Sequence, residues 1–154
     1  MSLLSLPFTL EAKVQATVLG VIGEIIGSPF RFNSDDVRAD LKDEIKKNKA
    51  IIYTYAWSPF STSALDALKN YDVTVIELGF EWFLMGPTES ETRVALQEIT
   101  GSTALPKLFV NGQYQGGYST DGPSGNGIVG LQKNGQLDKI LKKKVVKRGK
   151  MGKR

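Results

Sequence analysis

The chain has 154 residues, of which 41% are hydrophobic and 23% charged, enough for one globular domain with a tail and too few for two full domains. It contains no cysteine and no histidine, which excludes disulfides, thiol chemistry, Ser-His or Cys-His catalysis and the usual zinc ligand sets. The net charge of +4 is uneven: nine of the twenty basic residues fall between Lys139 and Arg154, so residues 1–138 hold eleven basic against sixteen acidic residues and carry −5.

Residues 1–33 form an N-terminal extension. Leu10 to Ile26 reads as a short amphipathic helix with Val14, Leu19, Val21, Ile22, Ile25 and Ile26 on one broad face. It lacks a basic leader and a cleavage motif, so it is a poor secretory signal, and no apolar run reaches the roughly 18 residues of a membrane span. Packing on the domain surface is the simpler reading; a dimer contact or membrane-surface anchor is the sharper one.

From Asn33 the pattern becomes regular. Asn33 or Ser34 caps a helix with Asp35 and Asp36 in its first turn, Val37, Leu41 and Ile45 on one stripe, and Lys46, Lys47 and Lys49 at its end. Ile51–Tyr55 is a buried strand, Pro59–Asn70 a helix and Val73–Leu78 a second buried strand. Gly79–Pro87 is an aromatic loop, read either as core filling or as a hydrophobic rim. Thr88 and Glu91 have the spacing of a capping box and open a helix that Gly101 ends. Lys107–Val110 is a strand, Asn111-Gly112 a two-residue hairpin turn and Gln113–Gln115 the return strand. A glycine-rich loop leads to a helical stretch from Ile128, broken at Asn134-Gly135, and a last helix over Leu137–Lys144. The basic residues beyond it read as a solvated helix end and a disordered tail rather than as a specific nucleic-acid site.

Four features converge on one end of this pattern. Trp57-Ser58-Pro59-Phe60-Ser61 follows the first strand and opens a helix, Ala104-Leu105-Pro106 precedes the third strand, Asn111-Gly112 turns the hairpin, and Gly116-Gly117-Tyr118 follows it. A Ser-Pro turn alone is unspecific; the combination resembles glutaredoxin over about Ser34 to Lys144, with S-P-F-S in the frame of a dithiol C-P-F-C motif. The resemblance implies an α/β thioredoxin-like fold: a four-stranded mixed sheet flanked by helices, with the N-terminal helix as an addition and residues 145–154 as a tail. It implies a glutathione-dependent thiol-disulfide oxidoreductase, with Ser58 and Ser61 at the catalytic cysteine positions. Glutathione would lie against Tyr55, Trp57, Phe60, Ala104, Leu105, Pro106, Gly117, Tyr118, Ser119, Thr120 and Asp121, with a cis Leu105-Pro106 bond presenting the Leu105 backbone.

A residue at a helix N-terminus meets the positive end of the dipole, so a cysteine at position 58 would be a good nucleophile and leaving group. A serine hydroxyl keeps the shape and loses the chemistry. The chain as written is therefore expected to be inactive, whether as an isosteric replacement in an active dithiol parent or as a naturally redox-dead paralogue. The alternative is a thioredoxin-fold module that binds glutathione or a peptide without turnover. The chain departs from the family where Tyr55 replaces a lysine before the motif, and where the STDGPSGNG loop is long enough that Ser119, Thr120 or Asp121 can each take the γ-glutamyl contact. Ser119 and Thr120 are expected near an anion-friendly helix start. An iron–sulfur cluster is implied only for a cysteine-containing parent. The expected partners are glutathione and glutathionylated or disulfide proteins, in a reducing compartment, cytoplasmic or organellar (plastid or mitochondrion).

Overall fold

The structure, a computed structural model, describes residues 34–81 and 83–145. The helix expected over Leu10–Ile26, the Asn33 cap and the tail beyond Val145 lie outside them. In chain order the elements are α1 Ser34–Lys47, β1 Ala50–Thr54, α2 Pro59–Leu68, β2 Thr74–Glu77, α3 Pro87–Thr100, β3 Lys107–Val110, β4 Gln113–Gly116, α4 Gly127–Lys133 and α5 Leu137–Ile140. The sheet runs β2-β1-β3-β4. β1 pairs parallel with β2 through a helical crossover and antiparallel with β3, and β3 pairs antiparallel with β4. This is the expected thioredoxin-like arrangement.

The β-branched run of β1 is buried along its whole length because helices cover both faces of the sheet. Ile51, Tyr53 and Phe109 face Leu41 and Ile45 of α1 and Ala95 and Leu96 of α3. Ile52, Leu108 and Val110 face Ala64 and Leu68 of α2, Ile128 and Leu131 of α4 and Leu137 of α5. Each fully buried aliphatic side chain contributes roughly 2 kcal/mol. Polar contacts fix α1: the Tyr53 hydroxyl donates to Glu44 Oε2 at 2.7 Å, and Arg38 grips Glu98 of α3 through two bonds of 2.9 and 3.0 Å. The hairpin turn is as expected, with Asn111 at φ 50° and Gly112 at φ 78°.

Three local expectations are corrected. β2 is an edge strand and not a buried one: Thr74, Val75 and Glu77 are exposed, because β2 has a neighbour on one side only. The Thr88/Glu91 capping box does not form. α3 starts one residue earlier, at Pro87 with Gly86 as N-cap, which places the Thr88 hydroxyl inside the first turn and Glu89 at the acid-favouring position. The last helix stops at Ile140 instead of reaching Lys144. The Asp72 N–H donates to the Lys142 carbonyl at 2.7 Å and the Lys144 N–H to the Asn70 carbonyl at 2.8 Å, so this segment is extended against the end of α2. Asp138 holds it, accepting from the Tyr71 hydroxyl at 2.9 Å and pairing with Lys143 at 3.2 Å.

Candidate functional site

The first wall of the site is the turn between β1 and α2. Ser58 is the N-cap of α2, with extended φ and ψ, and its Oγ accepts the Ser61 N–H at 3.3 Å. Pro59 takes the first helical position, where a missing N–H costs nothing. The Ser58 carbonyl accepts the Thr62 N–H at 3.0 Å and the Thr62 hydroxyl at 3.2 Å. Ser61 Oγ accepts the Tyr55 N–H at 3.1 Å, which knits the turn to the strand it leaves. Ser61 is sealed at 1% exposure, and Ser58 retains 6%. No acidic residue lies in the first turn of α2, so the positive end of its dipole is uncompensated at Ser58.

Trp57 and Phe60 flank the turn with most of their surface exposed. The aromatic loop reaches this place. The Trp57 N–H donates to the Phe80 carbonyl at 3.0 Å, and the two rings lie 4.8 Å apart. Phe80, Phe83 and Leu84 are exposed and only Met85 packs against the core, so the loop is a rim and not core filling; Trp82 lies outside the described residues.

The second wall joins the Ala104–Pro106 segment to the loop after β4. The Leu105-Pro106 bond is cis, the Leu105 side chain is buried, and among the described residues its N–H and C=O make no backbone hydrogen bond. Gly116 has φ 108°, and a Cβ there would stand 2.6 Å from the Thr120 carbonyl, so only glycine lets the loop fold back this closely. The Gly117 N–H donates to that same carbonyl at 2.8 Å.

One groove of about 220 Å³ brings together Phe60, Ala104, Leu105, Pro106, Gly117, Tyr118, Ser119, Thr120 and Asp121 of the expected residues. Trp57, Ser58 and Ser61 stand beside it without lining it, and Tyr55 is buried in the core against α1 and α3. The expected helix start at Ser119 and Thr120 is not there. α4 begins at Gly127, and its first donors are spent: the Gly127, Ile128 and Val129 N–H groups bond the Asp121, Gly117 and Tyr118 carbonyls at 3.0, 3.0 and 2.9 Å. The helix braces the loop and offers those donors to no ligand.

Ser102, Lys107 and Tyr114 also line the groove and were not foreseen. Lys107 is 1% exposed, with its ammonium 5.2 Å from the centre of the Tyr114 ring. Burial pulls its pKa down to about 8, and the Asp121 carboxylate pulls it part of the way back. Burial raises the Tyr114 phenol, and the charge and hydrogen bond of Asp121 add to the rise. The signal was a lysine heading the otherwise apolar strand K-L-F-V directly after Pro106.

No family model matches the chain. By sequence it is 26% identical over 103 residues to the chloroplastic monothiol glutaredoxin-S12 of Arabidopsis thaliana, covering 66% of this chain and 51% of that protein. Its relatives are glutaredoxins. The chain spans about half the length of the chloroplastic relatives it matches. The fold is shared with oxidized glutaredoxin 2 from Chlamydomonas reinhardtii at TM-score 0.59 and 24% identity, covering 71% of this chain and 94% of that one. It is shared also with a buckwheat glutaredoxin solved as its glutathione complex, at TM-score 0.54 and 13% identity, covering 70% and 89%. Against these glutaredoxins the departure is chemical: this chain has no sulfur nucleophile. Its own residues do not fit an iron–sulfur cluster either, since neither cysteine nor histidine exists to ligate iron.

Proposed function

We propose that this chain is a glutaredoxin-like module that binds glutathione, or the glutathionyl end of a modified protein, without carrying out thiol–disulfide exchange. The observation that carries this reading is Ser58 at the N-cap of α2, beside a groove bounded by cis-Leu105-Pro106 and the Gly117–Asp121 loop. In that groove an extended tripeptide pairs with the Leu105 backbone, its γ-glutamyl end lies among Ser119, Thr120 and Asp121, and its sulfur approaches Ser58. Trp57 and Phe60 cover it from the side of the turn. A hydroxyl does not ionise usefully at neutral pH and oxygen cannot form the mixed disulfide, so the cycle stops at binding.

In a Ser58→Cys variant the cycle is complete. The introduced thiolate attacks the glutathionyl sulfur of a modified protein and expels that protein's thiolate. A second glutathione thiolate then attacks the mixed disulfide, releasing oxidised glutathione and regenerating the introduced thiolate. The chloroplastic names of two relatives support an organellar, reducing compartment for such a module.

The test is a chemical-shift titration of the full chain with reduced glutathione. Shifts confined to residues 55–61, 104–106 and 117–121, with a dissociation constant in the millimolar range, are expected, corresponding to about −4 kcal/mol. No shift at about 20 mM, roughly twentyfold beyond such a constant, would end this reading.

A further inference from the structure

The groove has walls for an extended peptide, but the usual sources of positive charge are missing from it. Position 55 is a tyrosine buried in the core. The first N–H groups of α4 are consumed by the loop carbonyls. Ser119 and Thr120 bring hydroxyls, and Asp121 brings a negative charge.

Lys107 is the exception. It is the first residue of β3, directly after the cis proline, and its side chain is 99% buried yet lines the groove. Among the described residues its ammonium makes no ion pair and no hydrogen bond; its contacts are the face of the Tyr114 ring and the field of Asp121. An ammonium largely withdrawn from water and without a protein acceptor is costly unless something completes its shell. Asp121 lines the same groove with the opposite sign. Two opposite charges in one groove, not bonded to each other, suit a ligand that carries both signs itself.

We propose that Lys107 is a specificity-determining residue of the groove: its ammonium takes the α-carboxylate of a zwitterionic amino-acid head group whose α-ammonium faces Asp121. This rests on the glutathione reading above and deepens it, since the γ-glutamyl end of glutathione is such a head group while its glycyl end is a simple carboxylate. Tyr114 sets the position of the ammonium by lying beneath it, and burial makes the ion pair with an incoming carboxylate stronger than it would be in water.

The test uses the full chain and three probes: reduced glutathione, its glycyl monoethyl ester, which keeps the head group, and its diethyl ester, which does not. Binding is followed through the groove amides and through the ε-CH₂ resonance of Lys107. Titratable or charged groups on the surrounding elements are Tyr53 of β1, Arg93 of α3, Tyr114 of β4, and Tyr118 and Asp121 of the loop, so the ε-CH₂ signal is read by itself. Expected is equal binding of glutathione and the monoester, at least tenfold weaker binding of the diester, and an upward move of the Lys107 titration on adding glutathione, because an anion favours the protonated amine. Lys107→Met should erase the difference between the monoester and the diester, and its thermal transition shows whether it folds. Groove shifts with Lys107 ε-CH₂ unmoved and all three probes equal would overturn the role of Lys107 and leave glutathione binding standing. A monoester as weak as the diester would overturn the head-group assignment, because the cation would then be reading the glycyl end. No groove shift with any probe would overturn both readings.

Discussion

The two walls of the groove are built by different physics. The turn from Trp57 to Ser61 is assembled locally: a strand end, an N-cap serine, a proline at the first helical position and a hydroxyl that returns to Tyr55, all within seven residues. The loop from Gly117 to Asp121 has no such local rule. It is held by carbonyls given to the start of α4, by the fold-back at Gly116 and by its close approach to Pro106. The turn therefore needs no thiol to hold its shape. The loop depends on its glycines and on its neighbours, and the positive charge of the groove comes from a neighbour, Lys107.

The largest expected effect tests the turn. Ser58→Cys should take de-glutathionylation from background to at least about a hundredfold above it, with a thiol pKa well below the ordinary value of about 8.5. Ser61→Cys alone should stay at background, because position 61 is sealed and occupied with the Tyr55 N–H. Equal rates from the two variants in a glutathione-coupled assay, or a pKa of about 8.5 or more at position 58, would break the distinction between a cap at the helix end and a sealed brace.

The next test falls on the loop. Gly122 has φ 72° and a Cβ there would run into the backbone of Gln115, whereas Gly125 has φ 71° and open space around it. Gly122→Ala should cost about 3 kcal/mol in denaturant unfolding and Gly125→Ala about 1 kcal/mol, since the second pays only for the left-handed backbone. Equal losses would mean that backbone conformation, and not close approach, governs this wall.

A pH series reads the charge between the walls. Lys107 has a folded pKa of about 8 against an unfolded value of 10.5, so the folded chain binds that proton less tightly than the unfolded one. Its penalty is complete below about pH 8 and is relieved as pH rises through the window to about 10.5, so stability should rise there by about 3 kcal/mol. Tyr53 and Tyr114, whose phenols are raised by burial, act in the opposite direction only above pH 10. Lys107→Met should flatten the rise between pH 8 and 10 in thermal or urea unfolding, and an unchanged slope would show that the ammonium is solvated.

The smallest effect is expected at the rim. Phe80→Ala removes the ring beside Trp57, but both rings are largely exposed, so the loss in stability should be about 1 kcal/mol at most. A loss of about 3 kcal/mol would place the aromatic loop in the core after all.

The order of elements, the buried central strand, the hairpin at Asn111-Gly112 and the N-cap at Ser58 were legible in the sequence, because each depends on residues within a few positions of one another. The serine frame itself was legible for the same reason, and with it the absence of thiol chemistry. The edge exposure of β2, the extended course of Lys142–Lys144 and the use of the α4 donors were not, because each depends on which element lies alongside. Val75 reads as buried until its strand is found at the edge of the sheet, and Ser119 and Thr120 read as a helix start until Gly127 is found to begin it. Lys107 is the clearest case. Sequence shows only a lysine at the head of an apolar strand; burial beside Tyr114 and Asp121, which the fold brings to it from β4 and the following loop, decides that its charge belongs to the groove and not to solvent. Local chemistry is written in neighbouring residues, whereas the dielectric around a charge and the partners of a backbone donor exist only once distant segments have packed together.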